Sequence, residues 1–303
     1  MTSRYELRPV TPDEATRWDE LITSYESGQL FPSQDMTRPS CREPRHGYEF
    51  FSHPGRHTDS WVLLRRHPAE GPFRILGSPL KGWCTNFLGP LANRNLNQEA
   101  FLEALDGFAE HERLAMVEID NPLLVADFME KAGYKPVYQP TCIVRFTPGD
   151  IETMWNRIDR KSRQEIRKAK RAGLVVEDTD DASISDEFLS QFVKALARKN
   201  LFPPYDRNCP RLLFEYLKPR GMLFALRVSE PLGRIIATGL FPHDHRTVYF
   251  WGGASRIDSW KYSPNDLLQW TVMEIAAQRG LTIYNWLWAF QEQVRGALQS
   301  PKR

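Results

Sequence analysis

Apolar residues recur along the chain with two periods, and these periods predict its secondary structure. Spacing of three and four residues is typical of amphipathic helices, whereas strict alternation is typical of half-buried strands. The sequence therefore predicts helices at 12–24, 97–112, 122–132, 151–172, 186–199, 210–217 and 264–279. It predicts strands at 5–10, 61–66, 73–76, 114–119, 142–146, 174–177, 223–228, 234–241, 247–252 and 281–286.

Both halves of the chain mix strands with helices and lack the regular alternation of a parallel sheet. This pattern predicts an α+β fold with a mixed sheet in each half. Segment 27–60 is dense in Pro, Gly, Arg and His and is predicted to be loop-rich. Pro148 and Gly149 interrupt the periodic segments, which predicts two domains, 1–147 and 148–303.

Composition narrows the class of protein. The 303 residues are 41% hydrophobic and carry 40 Lys and Arg against 38 Asp and Glu, a net charge of +2. This balance fits one or two globular cores and excludes a polybasic or disordered chain. Without a long apolar run or an apolar secretory signal, we expect no insertion into a membrane. Four widely spaced cysteines favour a reduced, cytoplasmic protein.

One predicted helical segment departs strongly from this neutral average. Residues 157–171 contain eight bases and two acids, a local charge of +6. Helical spacing predicts a buried seam of Trp155, Ile158, Ser162, Ile166 and Ala169. The bases on the other faces form either a solvated surface or a site for the phosphates of RNA or a nucleotide. The candidate phosphate ligands are Lys161, Arg163, Arg167, Lys168 and Arg171.

A second candidate site begins at the end of the strand predicted at 247–252. Trp251 and Gly252 are followed by Gly253, and glycines at a strand end permit a bulge that exposes backbone N–H groups. Such groups can polarise an acyl carbonyl and stabilise the charge that develops on its oxygen. Trp251, Gly252 and Gly253 are therefore the catalytic candidates.

The helix that follows has a well-formed predicted start. Ser263 is a good N-cap, Pro264 suits the first helical position, and Asp266 falls in the first turn. The free N–H groups of such a start bind anions, although a well-capped helix is also common without a ligand. The candidate donor-binding residues are Lys261, Tyr262, Ser263 and Asn265.

A loop stiffened by Pro203 and Pro204 supplies a third candidate. It brings together the bases Lys199 and Arg207 and the aromatic residue Tyr205. Loops of this kind often line binding clefts, so these three are the candidate acceptor-binding residues. The alternative is a plain connection between two helices.

Other chemistries find little support in the sequence. Motifs for dinucleotides, P-loop phosphates, serine hydrolases and zinc proteases are absent. We expect His243 and His245 to be exposed at a hairpin tip. Four residues could ligate zinc, but their spacing matches no common pattern: Cys41, His46, His53 and His57. We therefore predict no metal and no resident cofactor.

These features occur in an order that resembles a known family. Residues 155–169 read WNRIDRKSRQEIRKA and resemble the basic helix of the Fem-type aminoacyltransferases and their FemAB-like relatives. Gly252–Ser255 and 263–270 resemble later segments of the same family. The similarity extends over residues 148–284 and is weaker in the first half.

The resemblance implies two tandem GNAT-like domains and transfer of an acyl or aminoacyl group to an amine. Fem-type members take this group from aminoacyl-tRNA, whereas other FemAB-like members are described as acetyltransferases. The R-x-x-G-x-G/A loop of CoA-binding GNAT enzymes is absent here. Its absence and the basic helix favour aminoacyl-tRNA over acetyl-CoA as the donor. The acceptor stays open among a peptidoglycan precursor, a peptide and a small-molecule amine.

The end of the chain departs from the family pattern. Family members finish with Tyr-Asp, a glycine turn and Phe-Lys, but here Tyr284 is followed by Asn285 and Trp286, and no Phe-Lys is present. The family lysine thought to help activate the donor therefore has no counterpart. A non-catalytic RNA-binding protein is a further hypothesis, which predicts RNA binding with a steep salt dependence and no turnover.

Overall fold

The computed structural model describes residues 97–138, 141–205 and 207–287. Before them it describes shorter stretches: 8–9, 13, 16–17, 20, 46–52, 59–66, 74–79, 85 and 88–92. The chain divides into two compact units. Unit 1 comprises Met1–Tyr138 with Pro204–Asp206, and unit 2 comprises Gln139–Pro203 with Arg207–Arg303. The helix predicted at 12–24 lies mostly outside the described residues.

Unit 1 contains a mixed sheet and two helices among its described residues. The strands are β1 Arg8–Pro9, β2 His46–Ser52, β3 Asp59–Arg66, β4 Arg74–Ser78, β5 Leu91–Ala92 and β6 Leu114–Ile119. The helices are α1 Gln98–His111 and α2 Ala126–Lys131. The strand order is β1-β2-β3-β4-β6, and β5 also pairs with β3. β4 and β6 are parallel, and α1 lies in the connection that a parallel pair requires.

The core of unit 1 forms where α1 covers the sheet. Asn97 caps this helix, because its side chain accepts a hydrogen bond from Ala100 N (3.2 Å). Phe101 and Leu105 then point inward and belong to a buried cluster with Leu76 of β4. The periodic spacing of these apolar residues explains why the sequence located this helix to within one residue at each end.

Unit 1 differs from the prediction in two places. Segment 27–60, predicted as loop-rich, contains β2, because pairing with β3 supplies hydrogen-bond partners that a local pattern does not reveal. The helix predicted at 122–132 begins only at Ala126. Before it, the Asn121 side chain accepts a hydrogen bond from Leu123 N (2.9 Å), which holds this segment in a turn.

Unit 2 contains five α-helices, two short 3-10 helices (Lys218–Arg220 and Ile257–Tyr262) and seven strands among its described residues. The helices are α3 Ile151–Arg157, α4 Arg160–Arg171, α5 Ile184–Ala197, α6 Cys209–Leu217 and α7 Pro264–Gln278. The strands are β7 Ile143–Arg145, β8 Val175–Asp178, β9 Leu223–Ser229, β10 Ile235–Pro242, β11 Thr247–Tyr249, β12 Gly252–Ser255 and β13 Ile283–Asn285. They form two sheets, with the orders β12-β10-β9-β8 and β11-β13-β7.

β7 places the start of unit 2 earlier than the predicted join at 147/148. This strand pairs antiparallel with β13, and Phe146 N just beyond it donates to Thr282 O (3.0 Å). The division of the chain therefore falls at 138/139. A Pro-Gly turn marks a break between local elements, whereas the partner of β7 lies far away in the sequence and leaves no local signal.

The basic segment forms two helices rather than the single helix predicted at 151–172. Ile158 is extended, with ψ 140°, and Asp159 caps α4. The Asp159 carboxylate accepts hydrogen bonds from Ser162 N (3.0 Å) and Ser162 Oγ (2.6 Å). An Asp side chain bonded to the backbone three residues later favours a new helix start over continuation of the old helix.

The helices of unit 2 cover both faces of its four-stranded sheet. A Cβ at Gly239 of β10 would meet Leu268 of α7, whereas the neighbouring Thr238 donates to Gln191 of α5 (3.0 Å). Because successive strand residues point to opposite faces, α7 and α5 lie on opposite sides of the sheet. No helix in the described ranges is long and apolar enough to cross a membrane.

Candidate functional site

Two consecutive strands of unit 2 diverge at Phe250 and Trp251. β11 pairs in parallel with β13, and Phe250 N donates one further bond to Asn285 O (2.8 Å). β12 instead pairs antiparallel with β10. Between them, Trp251 N donates to Tyr249 O (3.1 Å), which makes a tight local turn. The strand predicted at 247–252 is therefore two short strands in different sheets.

One edge of β12 has no partner strand in the part of the chain that the structure describes. Just beyond β12, Arg256 N donates to Ile236 O (2.8 Å). Bonding alternates along an antiparallel pair, so Ala254 also bonds toward β10. The N–H groups of Gly253 and Ser255 then point the other way, to the open edge. A carbonyl can be held there without breaking an existing bond.

The three predicted catalytic residues are placed differently at this edge. Gly253 presents its N–H to the open side, whereas the Trp251 N–H is already bonded to Tyr249. Alternation directs Gly252 toward β10. The Trp251 ring packs against Phe188 of α5, with centroids 5.8 Å apart. Of the three, Gly253 is therefore the residue whose N–H faces the open edge, and the catalytic role of the three residues stays a prediction.

Gly253 lies opposite Gly239 of β10, and aromatic rings crowd both positions. A Cβ at Gly253 would lie 2.9 Å from Phe250 Cε2, and a Cβ at Gly239 would lie 2.6 Å from Phe241 Cε2. The Phe250 ring also contacts Trp286 beyond β13, with centroids 5.6 Å apart. Because the two glycines have no side chain, the rings of Phe250 and Phe241 can lie close to the point where β11 and β12 diverge.

Ser255 connects the end of β12 to the start of α7. Its Oγ accepts hydrogen bonds from Trp260 Nε1 (3.1 Å) and Asn265 Nδ2 (3.0 Å). Among the predicted donor-binding residues, Asn265 is thus fixed beside the open edge of β12. The Lys261 ammonium lies 4.8 Å from the centre of the Tyr262 ring, which it faces.

Ser263 does not cap α7 as the sequence predicts. It adopts a left-handed conformation, φ 56° and ψ 48°, and its side chain accepts no hydrogen bond from the helix. Its Oγ instead donates to the carboxylate of Glu165 on α4. An N-cap residue is normally extended, so the left-handed backbone removes the geometry on which the prediction depended.

Carboxylates crowd the start of α7. Burial raises the pKa of Asp266, and the charges of Glu165 and Asp159 raise it further. Hydrogen bonds from Ser263 and Lys168 hold the pKa of Glu165 below its ordinary value. The helix start therefore already has an ionised carboxylate beside it, which opposes the binding of a second anion there.

The five predicted tRNA-binding residues all lie on α4, and three of them make contacts within unit 2. Lys168 pairs with a carboxylate one turn earlier (3.1 Å), and Arg163 donates to a carbonyl of α3 (3.3 Å). The Arg167 guanidinium lies 5.4 Å from the centre of an indole ring of α3. Lys161 and Arg171 are exposed and form no ion pair with a described residue. Positive charge thus stays on the surface of α4.

The predicted acceptor-binding residues fall in different units. Lys199 and Arg207 are exposed in unit 2. Tyr205 groups with unit 1, and burial raises its pKa. The role of these three residues as one set therefore stays a prediction.

His243 is buried, so the prediction that it is exposed was wrong. Its ring stacks on Phe224, with centroids 4.2 Å apart, and burial lowers its pKa. A hairpin tip can fold back onto a core, which the turn signal alone does not show. Among the described residues, no group of three His, Cys, Asp or Glu could hold a metal ion. Three of the candidate zinc ligands lie outside those residues: Cys41, His53 and His57.

A cavity of about 310 Å³ lies between α5 and the end of β12. Its lining includes Gln191, Lys194, Arg198, Ser255, Arg256 and Asp258. No motif in the sequence marks this cavity. The spacing of 191, 194 and 198 does place these residues on one face of a helix, but the same spacing fits an ordinary solvated face.

The elements that build the open edge match a known family. Residues 156–292, which extend from α3 past β13, match the family model described as an acetyltransferase (GNAT) domain. The protein has a GNAT-type acyltransferase fold. This finding confirms the predicted fold class of mixed sheets with GNAT-like architecture.

Solved structures extend the similarity of this GNAT-type fold beyond unit 2. FemX superposes with a TM-score of 0.69 at 15% identity, over 98% of this chain and 90% of its own. L-PGS of Bacillus licheniformis gives 0.51 at 13%, over 91% and 75%. A tandem GNAT protein from the clavulanic acid biosynthesis pathway gives 0.50 at 11%, over 93% and 88%. No curated protein sequence matches the chain significantly.

Three residues beside the open edge were not predicted as site residues from the sequence: Lys194, Arg198 and Ser255. Ser255 lies in the segment Gly252–Ser255 that resembles the family, but the sequence did not single it out as a site residue. Lys194 and Arg198 line the cavity, yet on the sequence they read as exposed positions of an amphipathic helix. Only the packing of α5 beside β12 brings these three together.

Proposed function

We propose that the protein is an aminoacyltransferase that moves an aminoacyl group from aminoacyl-tRNA to an amine. The observation that carries this proposal is the open edge of β12, where Gly253 presents a backbone N–H beside diverging strands. The GNAT domain match supports acyl transfer to nitrogen. The fold similarity to FemX, together with the Fem-like basic helix, supports an aminoacyl rather than an acetyl group.

The open edge suits the chemistry of acyl transfer. The Gly253 N–H donates to the carbonyl oxygen of the donor ester and stabilises the negative charge that develops there. The amine nitrogen attacks the carbonyl carbon, so a C–N bond forms as the ester C–O bond to the ribose breaks. The amine loses one proton and the departing ribose oxygen gains one. Holding both reactants at one edge supplies much of the rate by orientation.

Electrostatics at the start of α7 favours aminoacyl-tRNA over acetyl-CoA. A CoA pyrophosphate at this helix start would lie near Glu165 and Asp266, and like charges repel. The ammonium of an aminoacyl group would instead be attracted to those carboxylates. The phosphates of tRNA would lie along α4, where Lys161 and Arg171 face solvent.

The acceptor is an amine whose identity the fold leaves open. A peptidoglycan precursor, a peptide and a small-molecule amine all supply the required nucleophile. Lys199, Tyr205 and Arg207 stay the predicted acceptor-binding residues, and the exposed bases Lys199 and Arg207 of unit 2 suit an anionic substrate.

The direct test measures incorporation of a labelled amino acid from charged tRNA into a panel of amines. We expect transfer that disappears when RNase is added before the protein. Equal incorporation after RNase treatment would contradict a tRNA donor. A parallel arm supplies acetyl-CoA, and saturable acetyl-CoA binding in calorimetry with turnover would establish the runner-up, an N-acetyltransferase. Tight RNA binding without any turnover would instead favour the non-catalytic hypothesis.

A charge-reversal pair tests the role of α4. The double variant Arg167→Glu, Arg171→Glu should weaken tRNA binding and lower the slope of log affinity against log salt by about 2, because each lost phosphate contact contributes roughly 0.9. The matched control is Lys131→Glu, Lys135→Glu, which reverses two exposed bases of unit 1. Equal loss in both variants would assign the effect to net charge rather than to α4.

A further inference from the structure

The cavity between α5 and the end of β12 has an excess of positive charge. Its lining contains the cations Lys194, Arg198 and Arg256 and a single acid, Asp258. Arg256 is neutralised by Glu187 of α5 (2.8 Å). Asp258 is neutralised in turn by Arg234, which does not line the cavity. The remaining charge therefore comes from Lys194 and Arg198.

Neither of these two cations has a carboxylate partner among the described residues. Arg198 is nevertheless held in place, because its guanidinium lies over the Trp260 ring, 4.6 Å from the ring centre. Such a cation–π contact does not neutralise the charge and does not use up the guanidinium N–H donors. Trp260 is itself fixed by its bond to Ser255 Oγ (3.1 Å). The cation is thus preorganised without being neutralised.

Ser255 borders this cavity but does not donate into it. It pairs with Ala237 of β10, so its side chain lies on the face of the sheet that α7 covers, opposite to α5. There its Oγ accepts from both Trp260 and Asn265. These bonds hold Trp260, and with it Arg198, at the end of β12.

We propose that this cavity binds a carboxylate or phosphate group through Lys194 and Arg198. The next step rests on the proposed function: the bound carboxylate or phosphate is part of the acceptor. The acceptor is therefore an amine that also carries an acidic group. Ser255 lies two residues from Gly253, a separation of about 7 Å along a strand. The anionic group of the acceptor is accordingly near its amine, as in an amino acid or a short acidic peptide.

The binding test needs no donor and no turnover. Succinate and inorganic phosphate are titrated separately at constant ionic strength, followed by tryptophan fluorescence and calorimetry. We expect saturable binding of one of them, weakened about tenfold or more in Arg198→Met and in Lys194→Met, which corresponds to about 1.4 kcal/mol. Saturation by succinate alone assigns a carboxylate ligand, and saturation by phosphate alone assigns a phosphate.

A matched control separates the cavity from general charge effects. Lys135→Met removes one exposed positive charge of unit 1 and should leave binding unchanged. Thermal melting shows whether each variant is folded, and Arg198→Lys, which keeps the charge but loses the planar guanidinium over the Trp260 ring, should bind with intermediate affinity. Absence of saturable binding by the unmodified protein, or equal weakening in Lys135→Met, overturns the proposal.

A kinetic arm distinguishes failure of this site from failure of the proposed function. Acceptor amines carrying a carboxylate are compared with their amides, and we expect a KM ratio of about ten or more that falls in Arg198→Met and persists in Lys135→Met. Anion binding without any acyl transfer would keep the site and reject the proposed function. Acyl transfer that does not discriminate the two acceptor types would reject the assignment of the site to the acceptor.

Discussion

β11 and β12 follow one another in the sequence, yet β11 has partners on both edges and β12 has a partner on one edge. β11 pairs with β13 and is bridged to the end of β10. Asp244 fixes the turn before it by accepting from Arg246 N and Thr247 N (2.7 Å each) and from Tyr249 Oη (2.9 Å). Among the described residues, β12 pairs with β10 alone. The comparison shows that β11, which is held by many hydrogen bonds, positions the adjoining β12. The outward N–H groups of β12 stay free to bind a ligand.

The largest expected effect comes from breaking the firmly bonded segment. Asp244→Ala removes all three of these hydrogen bonds, one of them to a buried tyrosine. We expect the free energy of unfolding to fall by about 2–3 kcal/mol, since each lost bond contributes around 1 kcal/mol. Urea denaturation measures it. His245→Ala, at an exposed neighbouring position, should change stability by less than about 0.5 kcal/mol. Equal effects would show that the turn does not depend on Asp244.

The next effect comes from crowding the open segment. Gly253→Ala places a Cβ 2.9 Å from the Phe250 ring, which must then move. We expect a stability loss of about 1–2 kcal/mol, as for overpacked sites, together with a loss of acyl transfer larger than the loss of folded protein. Unfolding and initial rates on the same preparations measure both.

A glycine elsewhere provides the control for this substitution. Gly107 lies inside α1, and a Cβ there meets nothing within 4 Å. Gly107→Ala should therefore stabilise the protein by about 0.5–1 kcal/mol and leave the site intact. Replacing Phe250 by Leu in the Gly253→Ala background should recover part of the activity. Full activity of Gly253→Ala alone would contradict the crowding argument.

The start of α4, like the turn before β11, is held by hydrogen bonds to an Asp side chain. Removing the Asp side chain at α4 should have a smaller effect. Asp159→Ala removes the cap that accepts from Ser162 and should cost about 1 kcal/mol. Asp159→Asn keeps an acceptor oxygen and should retain most of the stability. Thermal unfolding of the two variants compares them, and indistinguishable melting would mean that packing alone determines this helix start.

The smallest effect concerns the carboxylate at the start of α7. Burial raises the folded-state pKa of Asp266 above its unfolded value, so the ionised form is disfavoured by folding. Stability is therefore lost as pH rises through the folded pKa, and none is lost below the unfolded value. Asp266→Asn should be the more stable protein at neutral pH, and the difference should vanish in acid. A pH series of urea unfolding curves tests this, and a difference that persists at low pH would contradict it.

Much of the fold was predictable because apolar periodicity reports local structure. α1, β6 and three strands of the four-stranded sheet, β8, β9 and β10, lie within a few residues of their predicted bounds. The break before α4 was not predicted, because the apolar seam continues through it and only the Asp159 side chain ends one helix and starts the next. β2 was missed because its strand character depends on β3.

The candidate site was predictable only in part. The glycine pair and the helix start after it were located from the sequence, since glycines and capping residues carry local meaning. The left-handed Ser263 and its bond to Glu165 were not, because the two residues come from distant segments. The cavity was missed for the same reason, since it requires α5 to lie beside β12.

The sequence by itself determined most of the helices and strands and their order, the basic surface of one helix and the glycines after β11. These depend on the identity of residues within one or two turns of each other. The tertiary structure alone decided which strand edge stays open, that His243 is buried, and which cations lack a carboxylate. Those outcomes depend on distances between segments far apart in the chain, because hydrogen bonds and ion pairs act over a few ångströms while sequence patterns report only neighbours.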